Sequence, residues 1–127
     1  MLLRLVILSG LVGALYVGWR LWRRPPARLQ EVDLAALGVA GPAVVQFTSA
    51  TCGPCKAAAP RLAEAAGRRG VEFTQVDVEE RPDMARRYGI RTLPTIVVAG
   101  VGGEVTGAWT ALPGDGILDD AVRRASG

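Results

Sequence analysis

Histidine is absent from this chain, and cysteine occurs only twice. Two cysteines without histidine make half of a four-ligand zinc site, so a zinc centre would need a second chain to complete it. No nucleotide-binding glycine motif is present, and there is no sign of a flavin site. Acidic residues are missing from residues 1–28, where Arg4, Arg20, Arg23, Arg24 and Arg28 give +5 against a net charge of +3 for the whole chain. The remainder is therefore slightly acidic. The basicity belongs to the N-terminal segment rather than to a binding face, which argues against nucleic acid as a partner. No internal repeat or low-complexity segment is visible, and 127 residues leave room for one domain with a modest core.

Both cysteines fall in one short stretch, Thr51-Cys52-Gly53-Pro54-Cys55-Lys56. The apolar residues Ala43, Val44, Val45, Gln46 and Phe47 precede it as a strand, and an Ala-rich helical run from Lys56 to Ala66 follows. Strand-then-helix is the context in which Cys-x-x-Cys reads as a redox motif. At a helix start, the unpaired N–H groups and the positive end of the dipole favour an anion, so Cys52 is expected to be the attacking thiolate. Pro54 suits the first turn, where a missing N–H costs nothing. Cys55, one turn in and shielded, is placed to attack the mixed disulfide between Cys52 and a substrate, closing Cys52–Cys55. A structural disulfide is the plainer alternative, but it closes too small a loop to stabilise much.

Residues Leu2 to Trp22 are apolar, interrupted only by Arg4, Ser9 and Arg20. A helix of that length spans roughly 30 Å, the thickness of a bilayer core. Arg4 and Arg20 lie near its ends, and Tyr16, Trp19 and Trp22 gather at the C-terminal end as interfacial aromatics do. A single transmembrane anchor over residues 1–24 is the expectation. A signal peptide cleaved after Val12-Gly13-Ala14 competes with it, although the apolar run continues past that point. Arg20, Arg23, Arg24 and Arg28 outnumber Arg4 and the α-amino group, so the positive-inside rule places the domain on the cytoplasmic side. Gly10, Ala14 and Gly18 recur every four residues, a spacing that also arises from the ordinary glycine content of membrane spans.

Pro25-Pro26 is expected to end the anchor, with residues 25–42 as a linker leading into a domain at 43–127. Leu29, Val32, Leu34, Leu37 and Val39 suggest that this linker packs, as an edge strand or a short helix. Beyond it, Val44–Thr48 reads as a buried strand, Cys52 to about Arg69 as a helix, and Val71–Val78 as a second strand. Asp83–Tyr88 reads as a short helix stopped by Gly89. Thr95–Ala99 and Glu104–Thr110 form a hairpin across Gly100–Gly103, and Ile117–Ala125 a last helix with Ile117, Leu118, Ala121 and Val122 on one face. The order implies an α/β fold with a central sheet of mixed direction and helices on both faces.

From about Ala43 to the C-terminus the chain resembles a thioredoxin domain, so the thioredoxin fold preceded by one transmembrane helix is expected. Besides Cys52-Gly53-Pro54-Cys55-Lys56, Pro60 falls where that family's active-site helix carries a proline. Tyr88-Gly89-Ile90-Arg91-Thr92-Leu93-Pro94-Thr95 resembles the segment bearing its cis-proline. By that resemblance the Leu93–Pro94 peptide is cis and lies against the cysteines. Leu93, Pro94 and Thr95 then line a groove where an extended substrate pairs with exposed backbone. Catalysis is assigned to Cys52 and Cys55, with Gly53, Pro54 and Lys56 as supporting motif residues.

The chain departs from the family pattern at several places. The buried aspartate usual before the first cysteine is Gln46, and the lysine accompanying it is Gln75. Thr51 and Thr48 stand where tryptophans are usual, and Ala111 where a glycine faces the proline. An amide does not titrate, so slow activation of Cys55 is expected. The resemblance implies a membrane-anchored thiol–disulfide oxidoreductase that reduces protein disulfides, the Gly-Pro pair being that of reducing members. It requires no cofactor, and its partners are disulfide-bearing proteins, the membrane through residues 2–22, and a separate electron-donating reductase. The alternative is a specialised redox-delivery or client-binding module with little general turnover.

Overall fold

The computed structural model describes residues 1–23 and 29–127. Helix α1 (Leu2–Trp22) buries none of its side chains. Its mean hydropathy of 1.8 over an 18-residue window makes it long and apolar enough to cross a membrane. At its C-terminal end the Arg23 guanidinium lies 4.5 Å from the Trp19 ring centre, and Tyr16 packs near the same ring. Pro25-Pro26, expected to end this helix, and Arg24 and Arg28 of its charged flank lie outside the described residues.

The domain then runs β1 (Ala43–Thr48), α2 (Gly53–Gly67), β2 (Glu72–Asp77), α3 (Pro82–Tyr88), β3 (Thr95–Ala99), β4 (Val105–Trp109) and α4 (Asp115–Ser126). The strands form one sheet in the order β2-β1-β3-β4. β1 and β2 are parallel, joined through α2, while β3 runs antiparallel to both β1 and β4. This is the mixed sheet anticipated from the element order. β1 is central and covered on both faces, which is why it reads as an apolar run rather than an alternating one. Its one polar exception, Gln46, is fully buried.

The sheet separates two apolar clusters. On one face Val44, Ile96 and Val98 pack against Ala58, Leu62, Ala65 and Ala66 of α2 and against Leu118, Ala121, Val122 and Ala125 of α4. On the other, Val45, Phe47, Val97 and Ala99 pack against Met84 and Tyr88 of α3. That second face is completed by Leu29, Val32, Leu34 and Val39. The segment that supplies them is neither a helix nor a full strand. It makes a single bridge, Glu31 with Glu104, and then turns through 34–38. It is held by Val32 N–H on the Gly103 carbonyl (2.8 Å), by Val105 N–H on the Gln30 carbonyl (3.1 Å) and by Asp33 N–H on the Tyr88 hydroxyl (3.0 Å).

Two local details differ from the sequence expectation. Cys52 caps α2 instead of opening it, because its extended backbone leaves the sulfur free to accept from the helix. Ile117 is 59% exposed. The buried stripe of α4 runs Leu118, Ala121, Val122, Ala125, a three-then-four spacing that leaves Ile117 on its solvent side.

Candidate functional site

β1 delivers the chain to the redox pair. Its last residue, Thr48, leads into Ser49–Thr51, where the Ser49 carbonyl accepts from Cys52 N–H (3.2 Å). Cys52 then serves as N-cap of α2, and its sulfur accepts from Cys55 N–H at 3.3 Å, taking up one of the helix's orphan donors. Pro54 occupies the first turn, where it removes no needed hydrogen bond. Cys52 and Cys55 are joined in a disulfide with their Cα atoms 5.3 Å apart. The two sulfurs are not equivalent. Cys52 is partly exposed whereas Cys55 is fully buried. Gly53, Pro54 and Lys56 are exposed around them.

The register of the sheet brings the second motif to the same end. Thr95, the first residue of β3, stands opposite Phe47 near the end of β1. The Arg91–Pro94 loop therefore arrives beside the Ser49–Cys52 loop. The Leu93–Pro94 peptide is cis. Pro94 and Thr95 are buried, Leu93 is half-buried against the core, and the Thr95 hydroxyl donates to the Thr92 carbonyl at 2.6 Å.

Beneath the cysteines lies an amide pair. Gln46 and Gln75 are opposite each other in the parallel β1/β2 ladder. Gln75 Nε2 donates to Gln46 Oε1 at 2.9 Å, and Gln46 Nε2 donates to the Cys55 carbonyl at 2.8 Å. The resemblance marks both glutamines as standing where charged residues are usual, but not that Gln46 donates to the backbone of the resolving cysteine. The one available signal was a polar residue in an otherwise apolar central strand. In the loop before the cysteines the exposed Thr51 hydroxyl lies 3.4 Å from that of buried Ser49. Among the described residues no three His, Cys, Asp or Glu side chains come together as a metal site.

A half-exposed sulfur bonded to a buried one at a helix N-terminus, on a mixed sheet with helices on both faces, defines a domain built for thiol–disulfide exchange. The family model for thioredoxin matches residues 31–121. A thioredoxin from Mycoplasma genitalium is 39% identical over 93 residues, covering 72% of this chain and 87% of that protein. Thioredoxin Asp f 28 from Aspergillus fumigatus is 42% identical over 64 residues, 50% of this chain, and the match spans only 59% of its length. Among solved structures, a single-site mutant of thioredoxin from Halobacterium salinarum NRC-1 superposes with a TM-score of 0.60 at 26% identity, covering 68% of this chain and 75% of its own. The chain belongs to the thioredoxin family, whose members are thiol–disulfide oxidoreductases, and it carries a Cys-x-x-Cys pair at disulfide distance.

Proposed function

We propose that this protein is a membrane-anchored thiol–disulfide oxidoreductase that reduces protein disulfides by cycling Cys52 and Cys55 between dithiol and disulfide. The observation that carries this is the inequality of the two sulfurs, one reachable and one buried behind it. In the dithiol form, the Cys52 thiolate is favoured by the α2 N-terminus and by the Cys55 N–H that points at its sulfur. It attacks a client disulfide, one client sulfur leaves as thiolate, and a Cys52–client mixed disulfide remains. The Cys55 thiolate then attacks the Cys52 sulfur, the second client sulfur leaves, and the Cys52–Cys55 bond closes. The client gains two electrons and the protein loses two. They are restored by a dithiol of a separate reductase.

In this account Gly53, Pro54 and Lys56 shape the approach to Cys52, and Leu93, Pro94 and Thr95 form the floor on which an extended client segment lies. Residues 29–42 belong with the globular domain, since Leu29, Val32, Leu34 and Val39 complete one face of its core. Helix α1 anchors it, and the excess of arginine at its C-terminal flank favours a cytoplasmic domain. Thr48 and Thr51, standing where the family usually carries aromatics, favour a narrower client set than an aromatic rim would. A dedicated delivery role is therefore the second reading.

The test is reduction of insulin disulfides by the full chain in detergent with dithiothreitol as electron source. Wild type is expected to accelerate precipitation of the insulin B chain, and Cys52→Ser to fall to the uncatalysed rate. Wild type no faster than dithiothreitol alone would refute general reductase activity. Resistance of the chain to alkaline carbonate extraction tests the anchor, and labelling by a membrane-impermeant maleimide in intact cells tests the side.

A further inference from the structure

We propose that Gln46, braced by Gln75, is a positioning residue for Cys55 that leaves the resolving thiol no titrating side chain to receive its proton. The inference rests on the dithiol cycle proposed above. Pro60 has no N–H to offer the Lys56 carbonyl, so the helical ladder is interrupted one residue beyond the resolving cysteine. The neighbouring Cys55 carbonyl accepts from Gln46 Nε2 across the sheet, and the Gln46 oxygen accepts in turn from the exposed side chain of Gln75. Gln46 is fully buried and both ends of its amide are engaged. The amide pair thus fixes the first turn of α2 and remains neutral at every pH.

Among the described residues the charged groups on the surrounding elements are engaged elsewhere or exposed; on α2 itself Arg61 is exposed and Glu64 pairs with Arg68. On β2, Asp77 shares the face of Gln75, but its carboxylate accepts from the N–H groups of Glu79 and Glu80. Glu79, Glu80, Lys56 and Arg91 are exposed. On α4, Asp119 is paired with Arg68 and Asp120 with Arg123 and Arg124. β3 and β4 carry no ionisable side chain. The Cys55 proton therefore goes to water that reaches the site rather than to a side-chain base, and the rate of resolution follows the thiolate fraction of Cys55 alone.

The experiment is stopped-flow reaction of the reduced full chain in detergent with equimolar 5,5′-dithiobis(2-nitrobenzoate). Cys52 attacks first and releases one nitrothiobenzoate. Cys55 then loses its proton to water, attacks the Cys52 sulfur and releases the second, closing the Cys52–Cys55 bond. In wild type the second phase is expected to rise about tenfold per pH unit below the thiol range, with no earlier inflection. Gln46→Leu is expected to slow that phase roughly tenfold at every pH with its slope unchanged, since position is lost and no base is removed. Gln46→Glu keeps the side-chain length and can still accept from Gln75, but it donates to the Cys55 carbonyl only while protonated, and it adds a carboxyl whose pKa burial raises. It is expected to introduce an inflection and speed resolution several-fold near neutrality, roughly within the range of general-base assistance. If Gln46→Leu fails to fold, Gln75→Leu carries the positioning test, with a smaller slowing of the same shape.

An inflection in wild type below the thiol range would overturn the proposal, and its disappearance in Asp77→Asn would assign the base to Asp77. Gln46→Leu resolving as fast as wild type would overturn it too. Release of the first nitrothiobenzoate without the second is a different result. It would refute the dithiol cycle itself.

Discussion

At the scale of single residues, the site depends on a few positions whose neighbours leave no latitude. Gln46 is one, an amide in the middle of an apolar strand, tolerated because both its polar atoms are bonded. Gly103 is another. Its φ of +84° is unfavourable for any other residue, and a Cβ built there would lie 2.2 Å from the Val32 carbonyl oxygen, the residue whose N–H it receives. Gly103→Ala is expected to destabilise the fold by about 2 kcal/mol or more, through backbone strain and loss of the lead-in segment's attachment. Urea unfolding followed by tryptophan fluorescence measures it, and an unchanged midpoint would show that the segment is not held there. At this scale the sequence was legible where chemistry is carried by residue type. The cysteines, Pro54, the Leu93–Pro94 pair and the two glutamines all stand out. The direction in which Gln46 points was not legible, because hydrogen bonding to a carbonyl nine residues away depends on how α2 sits on the sheet.

At the scale of elements, α2 is the part on which the redox pair depends. It is held by Leu62, which is fully buried between the sheet and α4. Leu62→Ala is expected to cost about 2–5 kcal/mol. The lost packing lies about two turns from Cys55 along the helix. Thermal unfolding of the oxidised protein checks the magnitude, and a loss below about 1 kcal/mol, well under that range, would contradict the packing described. On the exposed side of α4, hydrogen bonding from Arg123 is the main cause that holds the Asp120 carboxyl below its ordinary range. Partial burial opposes it, and the Arg123 and Arg124 charges add to it. A depressed carboxyl contributes stability above its unfolded value and loses it as pH falls through the folded one. Asp120→Asn is therefore expected to unfold slightly earlier than wild type at neutral pH and to converge with it in acid, once the pH has fallen below the lowered folded value. Melting curves at the two pH values decide it, and a constant gap would contradict the linkage. Element boundaries were readable because glycine marks them. Gly89 ends α3 in the left-handed conformation, and Gly103 closes the β3–β4 turn. The lead-in at 29–39 resisted assignment because its apolar residues keep no period. They are spaced to fill the far face of a sheet that other residues build.

At the scale of the whole molecule, α1 lies outside the core and buries no side chain. Among the described residues it meets the domain at an open cleft beside residues 108–113, where the Thr110 hydroxyl donates to the Arg23 carbonyl. Removing residues 1–28 is expected to leave the unfolding transition of the domain and its thiol chemistry unchanged, while abolishing membrane retention. A truncated chain that fails to fold would show that α1 belongs to the core. Segregation of charge along the chain was legible from composition alone, and so was the length of the apolar run. In the proposed anchored form, the arginines flanking α1 set the side of the domain, and that side would set the clients within its reach. The central claim, that Cys52 engages client disulfides and Cys55 releases them, is tested most directly in cells expressing the full-length Cys55→Ser variant. After acid quenching, the account predicts membrane-bound adducts through Cys52 that dissociate on reduction and vanish when Cys52 is also replaced. A folded, well-expressed Cys55→Ser protein that forms no such adducts would contradict it.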